Sequence, residues 1–160
     1  AWLNMGSLGL RSTRGAGSFS WEPLNGAKLI PPKSFDDYSR RCKELLSDAH
    51  IKFALLPKEY ADANTARSIV SDTIGERNDT EGMNSSLEKI NYPLGGSKPR
   101  KTSPLRFRIV KFQQRFRIAA IWDARDNITG NNINDLKRLI EILCEKKPNL
   151  GTQLKQSMIN

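Results

Sequence analysis

Asp123 and Asp126 follow directly on an alternating run that ends at Trp122. Two carboxylates at a strand's end can hold Mg²⁺, and with Glu81 or Glu88 brought near they would activate water for phosphodiester hydrolysis. The same Asp-Ala-Arg-Asp string also reads as a solvated strand exit, with Arg125 balancing the charge. No lysine stands two residues after either aspartate to complete a nuclease-type cluster. His50 is the only histidine, so a triad or a histidine-rich metal site would have to use it alone. Its place at the end of a predicted helix suits a dipole-capping role better. Cys42 and Cys144 lack paired CxxC spacing and fall on apolar helix stripes, which predicts reduced core thiols in an intracellular compartment. Gly95-Gly96-Ser97-Lys98 lacks the spacing of a phosphate loop. No cofactor is expected from these residues, and enzymatic activity ranks below binding.

The charge pattern is more informative. The chain has 160 residues and a formal net charge of +9, with 26 Lys and Arg against 17 Asp and Glu. Between Glu88 and Asp123 there is no acid, while nine cations occur there: Lys89, Lys98, Arg100, Lys101, Arg106, Arg108, Lys111, Arg115 and Arg117. The remaining Lys and Arg equal the acids in number, so the whole excess can be assigned to one stretch. A local basic field marks where a polyanion or an acidic partner would dock.

Two alternating segments must position those cations. Leu105, Phe107 and Ile109 alternate with Arg106 and Arg108; Phe116, Ile118, Ala120 and Trp122 alternate with Arg115 and Arg117. Period two with aromatic and β-branched residues predicts strands, and a turn at Gln113-Gln114 would pair Leu105 with Trp122, Ile109 with Ile118 and Phe112 with Arg115. In that register one face is apolar, and the other carries Arg106, Arg108, Arg115 and Arg117 among Val110, Phe112, Ala119 and Ile121. Open to solvent, the second face would be a platform for unpaired RNA, arginine gripping phosphate and aromatics stacking on bases. On the competing reading the arginine stems cover a half-buried sheet and their heads pair with helix carboxylates, of which Asp36, Asp37, Glu44, Asp48, Glu59, Asp62 and Asp72 are candidates.

The remaining pattern predicts a small α+β domain. It would have two N-terminal helices, the basic antiparallel hairpin and a C-terminal helix, flanked by extended arms. Ser34 with Asp37 gives a capping-box-like start to a helix over 35–49, with Tyr38, Cys42, Leu45, Leu46 and Ala49 on one stripe. Residues 51–56 read as a short strand or a buried connection. A second helix is expected from Pro57, with Tyr60, Ala63, Ala66, Val70 and Ile74 inside and Gly75 as its stop. Residues 76–104 are expected to be a mobile linker with a helical turn at 86–90. A turn at 127–132 precedes the last helix, which carries Ile133, Leu136, Leu139, Ile140 and Leu143 and ends at Lys146, Lys147 and Pro148. By domains, 1–33 is an extended basic arm or targeting segment anchored by Trp2, Trp21 and Leu24, 34–147 the α+β domain, and 148–160 a C-terminal tail.

The arm's Arg- and Ser-rich, acid-poor start resembles an organellar transit peptide, so a cytoplasmic or mitochondrial location is expected. No apolar run approaches the ~18–20 residues that cross a bilayer, which predicts a soluble chain without a membrane partner. The functional expectation is a non-enzymatic RNA-binding component of a ribonucleoprotein, ribosomal-protein-like, with neighbouring proteins of a larger assembly as further partners. Its nucleic-acid-binding residues would be Lys98, Arg100, Lys101, Arg106, Arg108, Lys111, Arg115 and Arg117. The alternatives are a Mg²⁺-dependent nuclease using Asp123 and Asp126, and a module that docks an acidic protein.

Overall fold

In the computed structural model, the described residues are 2–6, 15, 17–26, 30–75, 96–97, 100–101, 105–123 and 133–159. For 2–3, 72–75, 96–97, 100–101 and 159, only the backbone is described. The linker expected at 76–104, with its helical turn, lies outside this set except for two short backbone pieces. The turn at 127–132 also lies outside.

The fold is α+β. Strands β1 (Ile51–Leu55), β4 (Leu105–Phe112) and β5 (Arg115–Asp123) form an antiparallel sheet in the order β1-β5-β4. A second small pair joins β2 (Gly96–Ser97) to β3 (Arg100–Lys101). The hairpin register matches the alternation residue for residue, from Leu105↔Trp122 to Phe112↔Arg115. Gln113 takes a left-handed φ of 53°, a conformation that the two-residue turn requires and that glutamine adopts at some cost. Central β5 reads Ile-Ala-Ala-Ile-Trp over 118–122, apolar on both sides, as a strand covered on both faces must be.

Both faces are indeed covered. On the first, Leu105, Phe107, Ile118, Ala120 and Trp122 meet Ala66 and Val70 of helix α3 (Ala63–Gly75). The same cluster takes Leu136, Leu139, Ile140 and Leu143 of α4 (Ile133–Lys146), and Leu150 and Leu154 of α5 (Pro148–Leu154). On the second, Phe53, Val110 and Ala119 meet Tyr38, Cys42 and Leu46 of α2 (Phe35–Leu46). The sheet is therefore the middle layer of three.

Helix α2 starts as its cap predicts: the Ser34 hydroxyl accepts from the Asp37 N–H at 3.1 Å, and Asp37 accepts from the Lys33 N–H at 3.1 Å. It ends at Leu46 rather than Ala49, which leaves His50 exposed in a bend rather than at a helix end. Helix α3 begins at Ala63, not Pro57. Residues before it are taken by the sheet: Tyr60 exchanges two backbone hydrogen bonds with Phe116, at 2.8 and 3.0 Å. The cap is Asp62, whose carboxylate accepts from the Thr65 N–H at 2.8 Å and from its hydroxyl at 2.6 Å.

The segment expected to be a C-terminal tail is helical and part of the core. Pro148 occupies the first turn of α5, and a π-helical turn follows at Lys155–Ile159. Leu150 and Leu154 are fully buried, a contribution of roughly 1.5–3 kcal/mol each. Between them, Gly151 lies against the backbone of Leu143 and Cys144, so α5 crosses the end of α4 at van der Waals contact. Buried Gln153 accepts from the Lys58 N–H at 3.2 Å and donates to the Asn149 carbonyl at 2.7 Å.

The described part of the arm is also pinned, beginning with α1 (Trp2–Met5). Tyr38 donates its hydroxyl proton to the Asn4 carbonyl at 2.6 Å, and the Trp21 indole N–H donates to the Asn4 side chain at 3.2 Å. Trp21 is thus an anchor as expected, whereas Leu24 is 86% exposed and anchors nothing. Among the described residues, no helix is long and apolar enough to cross a membrane.

Candidate nucleic-acid interface

The four hairpin arginines share one face by register, but the structure gives them different surroundings. Arg108 is the clearest departure from a solvent-facing row, at 4% exposure. Its guanidinium donates to the backbone carbonyls of Gly6 and Phe19 and lies 4.8 Å from the centre of the Phe19 ring. Burial lowers its pKa, opposed by the neighbouring Tyr38 and Cys42. The physical reason is that Val110, Phe112, Ala119 and Ile121 make this face too apolar to leave open. Helix α2 and the arm close over it, and carbonyls accept from the two terminal nitrogens of the buried guanidinium.

Arg117 is half-buried and held in place. It pairs with Glu59 at 2.6 Å and lies 4.6 Å from the centre of the Phe35 ring. Here the pairing of a sheet arginine with a carboxylate from outside the hairpin does occur. Three of the other candidate carboxylates, Asp37, Glu44 and Asp62, are engaged locally. Asp37 pairs with Arg40 at 2.6 Å and with Arg41 at 2.9 Å, and Glu44 pairs with Arg40 at 2.8 Å. The Arg41 hydrogen bond, with the Lys33 N–H and Arg40, draws Asp37 down to about 2. Asp37 and Glu44 are thus engaged within α2 itself rather than with the hairpin.

Arg106, Lys111 and Arg115 are exposed, and among the described residues none of them has an ionic partner. Lys111 rests its ammonium 5.7 Å from the centre of the Phe116 ring. Arg106 and Arg115 sit near opposite ends of the hairpin, roughly 20 Å apart at ~3.4 Å per strand residue. Lys98 lies outside the described residues, and for Arg100 and Lys101 only the backbone of the short β3 is described. The geometry therefore offers a basic rim around the hairpin, not a flat arginine face.

Arg67 has a place near this rim that the sequence does not reveal. It is exposed on α3 and lines one cavity with Arg108 and Lys111. Nothing local in the sequence joins position 67 to position 111; the sheet crossing does so.

Asp123 is the half-buried last residue of β5, while Asp126 lies outside the described residues. Among the described residues, no group of three or more His, Cys, Asp or Glu is arranged to hold a metal. Cys42 is buried and Cys144 half-buried, both as free thiols. Comparison of the chain with protein-family models, with curated proteins and with solved structures finds no match.

Proposed function

We propose that the protein is a non-enzymatic RNA-binding component of a ribonucleoprotein assembly, and that it grips RNA with the cationic rim of its hairpin. What supports this is the combination of an acid-free stretch carrying nine cations with three of them, Arg106, Lys111 and Arg115, exposed and unpaired among the described residues. Lys98, Arg100 and Lys101 belong to the same stretch and would extend the rim. Arg108 and Arg117 take a different role: they hold the layers together behind it. Cations strung over about 20 Å suit a backbone that is tracked rather than a single phosphate that is clamped.

The test is fluorescence anisotropy with a labelled single-stranded RNA over a salt series. Wild-type affinity should fall steeply with salt, and Arg106→Glu with Arg115→Glu should weaken binding at least about tenfold and flatten the salt slope by about 1–2 units. Equal affinity in the double variant, with folding intact, would overturn the reading. Running the same RNA with Mg²⁺ and with EDTA checks for cleavage dependent on Asp123 and Asp126, which would assign a nuclease instead.

A further inference from the structure

A cavity of about 500 Å³ opens beside the end of β4, within the range of small-ligand and short-peptide sites. Its walls include Val110 and Phe112 from one sheet face and Ile109 and Phe116 from the other. What it wraps is therefore the strand's own edge.

The polarity of that edge follows from the far side of the sheet. Phe116 spends its N–H and carbonyl on Tyr60, away from β4. In an antiparallel pair its opposite number, Lys111, must likewise turn both backbone groups away from β5. The same parity applies to Ile109, whose N–H is seen pointing outward to the Ser18 hydroxyl at 2.9 Å. Among the described residues nothing else bonds the Ile109 carbonyl or either outward group of Lys111.

Proteins usually guard such an edge with an outward lysine. Here the Lys111 side chain leans on the Phe116 ring, and Lys111 is part of the cavity wall. The charge is one-sided, with Arg67, Arg108 and Lys111 in the lining against Glu22 alone.

We infer that this edge docks an extended acidic segment of a partner protein, which adds as a further strand beside β4. One residue of the segment would exchange both backbone hydrogen bonds with Lys111, and a neighbour would donate to the Ile109 carbonyl. Ser18 marks where the pairing stops. Alternate side chains of the segment then fall toward Arg67 and Lys111, and carboxylates meet cations there. The proposal does not rest on RNA binding by the rim, although the two share Lys111.

The probe is a fluorescent peptide of about six residues that alternates Glu and Val, long enough to cover the edge. Controls are the same peptide N-methylated at alternate positions and one with Lys replacing Glu. Lys111→Pro removes an N–H that the β4–β5 ladder does not use, at an edge position where proline is tolerated. Binding should fall at least about tenfold on N-methylation and in Lys111→Pro, and severalfold in Arg67→Glu and with the Lys peptide. If Lys111→Pro fails to fold, amide exchange at Lys111 in the wild type reads the same contact and should slow at least about tenfold with peptide. The proposal is overturned by no binding up to about 1 mM, or by binding indifferent to N-methylation. It is also overturned by complete displacement with oligouridylate in the Arg106→Glu with Arg115→Glu variant, which would give the cavity itself to nucleic acid. A concentration-dependent dimer lost in Lys111→Pro would give the edge to a second copy of the chain and likewise overturn it.

Discussion

Arg108 lies with its guanidinium 4.8 Å from the centre of the Phe19 ring while donating to the carbonyl of the same residue. A strand in the middle of the sequence thereby holds the arm that begins the described chain. One planar, multidentate cation serves both the Phe19 and the Gly6 carbonyls, a task that lysine's point charge cannot reproduce.

Arg108→Ala should therefore cost about 2–4 kcal/mol, because two partly buried carbonyls lose a charged donor and the apolar face beneath is opened. Arg108→Lys should recover only part of this. Urea denaturation gives the stability, and limited proteolysis should show faster cleavage in the arm. RNA affinity per folded molecule should stay within about twofold, since Arg108 is not on the exposed rim. A large loss of affinity with unchanged stability would contradict this division of roles.

Gly151→Ala should be destabilising although alanine is the better helix former. A methyl group at that position meets the backbone of Leu143 and Cys144, which cannot swing aside as a side chain can. Overpacking of this kind costs about 3 kcal/mol, against the ~1 kcal/mol that alanine gains over glycine, for a net loss of about 2 kcal/mol. Thermal or urea unfolding reads the difference. A variant as stable as wild type would mean that α5 does not cross α4 so closely.

Acid should loosen α2 in a defined window. Asp37 is drawn down to about 2 by its Arg41 hydrogen bond, with further help from the Lys33 N–H and Arg40. A carboxyl whose folded pKa lies below its unfolded value stabilises fully above the ordinary value, near 4, and loses that contribution as pH falls toward about 2. In Asp37→Asn the dependence of stability on pH between about 4 and 2 should be shallower than in wild type. Urea midpoints measured at closely spaced pH values would show it. Parallel curves would remove Asp37 as the source.

The two thiols should separate kinetically. Cys42 is fully buried, and burial pushes it up to about 11, against local help from Tyr38 and Arg108. Little thiolate exists there at pH 8. Cys144, half-buried on α4, should react first with an alkylating reagent, and Cys42 only after unfolding. Mass spectrometry of briefly alkylated native protein distinguishes the sites. Equal labelling at both would contradict the packing of α2 on the sheet.

The parts of this fold that the sequence made legible are those governed by local spacing. Alternation over 105–122 determines which residues share a face, and the register follows from it pair by pair. The Ser34 cap and the stripe through Tyr38 and Cys42 place α2 by the same kind of rule. What spacing cannot say is which element lies across a face. Four cations on one side of a hairpin look alike in sequence, yet Arg108 is buried, Arg117 is paired, and Arg106 and Arg115 are exposed. The apolar company of Val110, Phe112, Ala119 and Ile121 was the available sign that this face would be covered. Pro148 with Leu150 and Leu154 one helical turn apart was a similar sign for α5. Arg67 and the β4 edge had no local sign, because their meeting depends on how α3 crosses the sheet.

Because Leu150 and Leu154 complete the inner layer against residues as distant as Trp122, that layer cannot close while the ribosome still holds this stretch. The hairpin emerges earlier, with its apolar face uncovered until that helix follows. Folding of the hairpin is thus tied to an element made well after it: residues 150–154 seal the apolar surface that the hairpin presents.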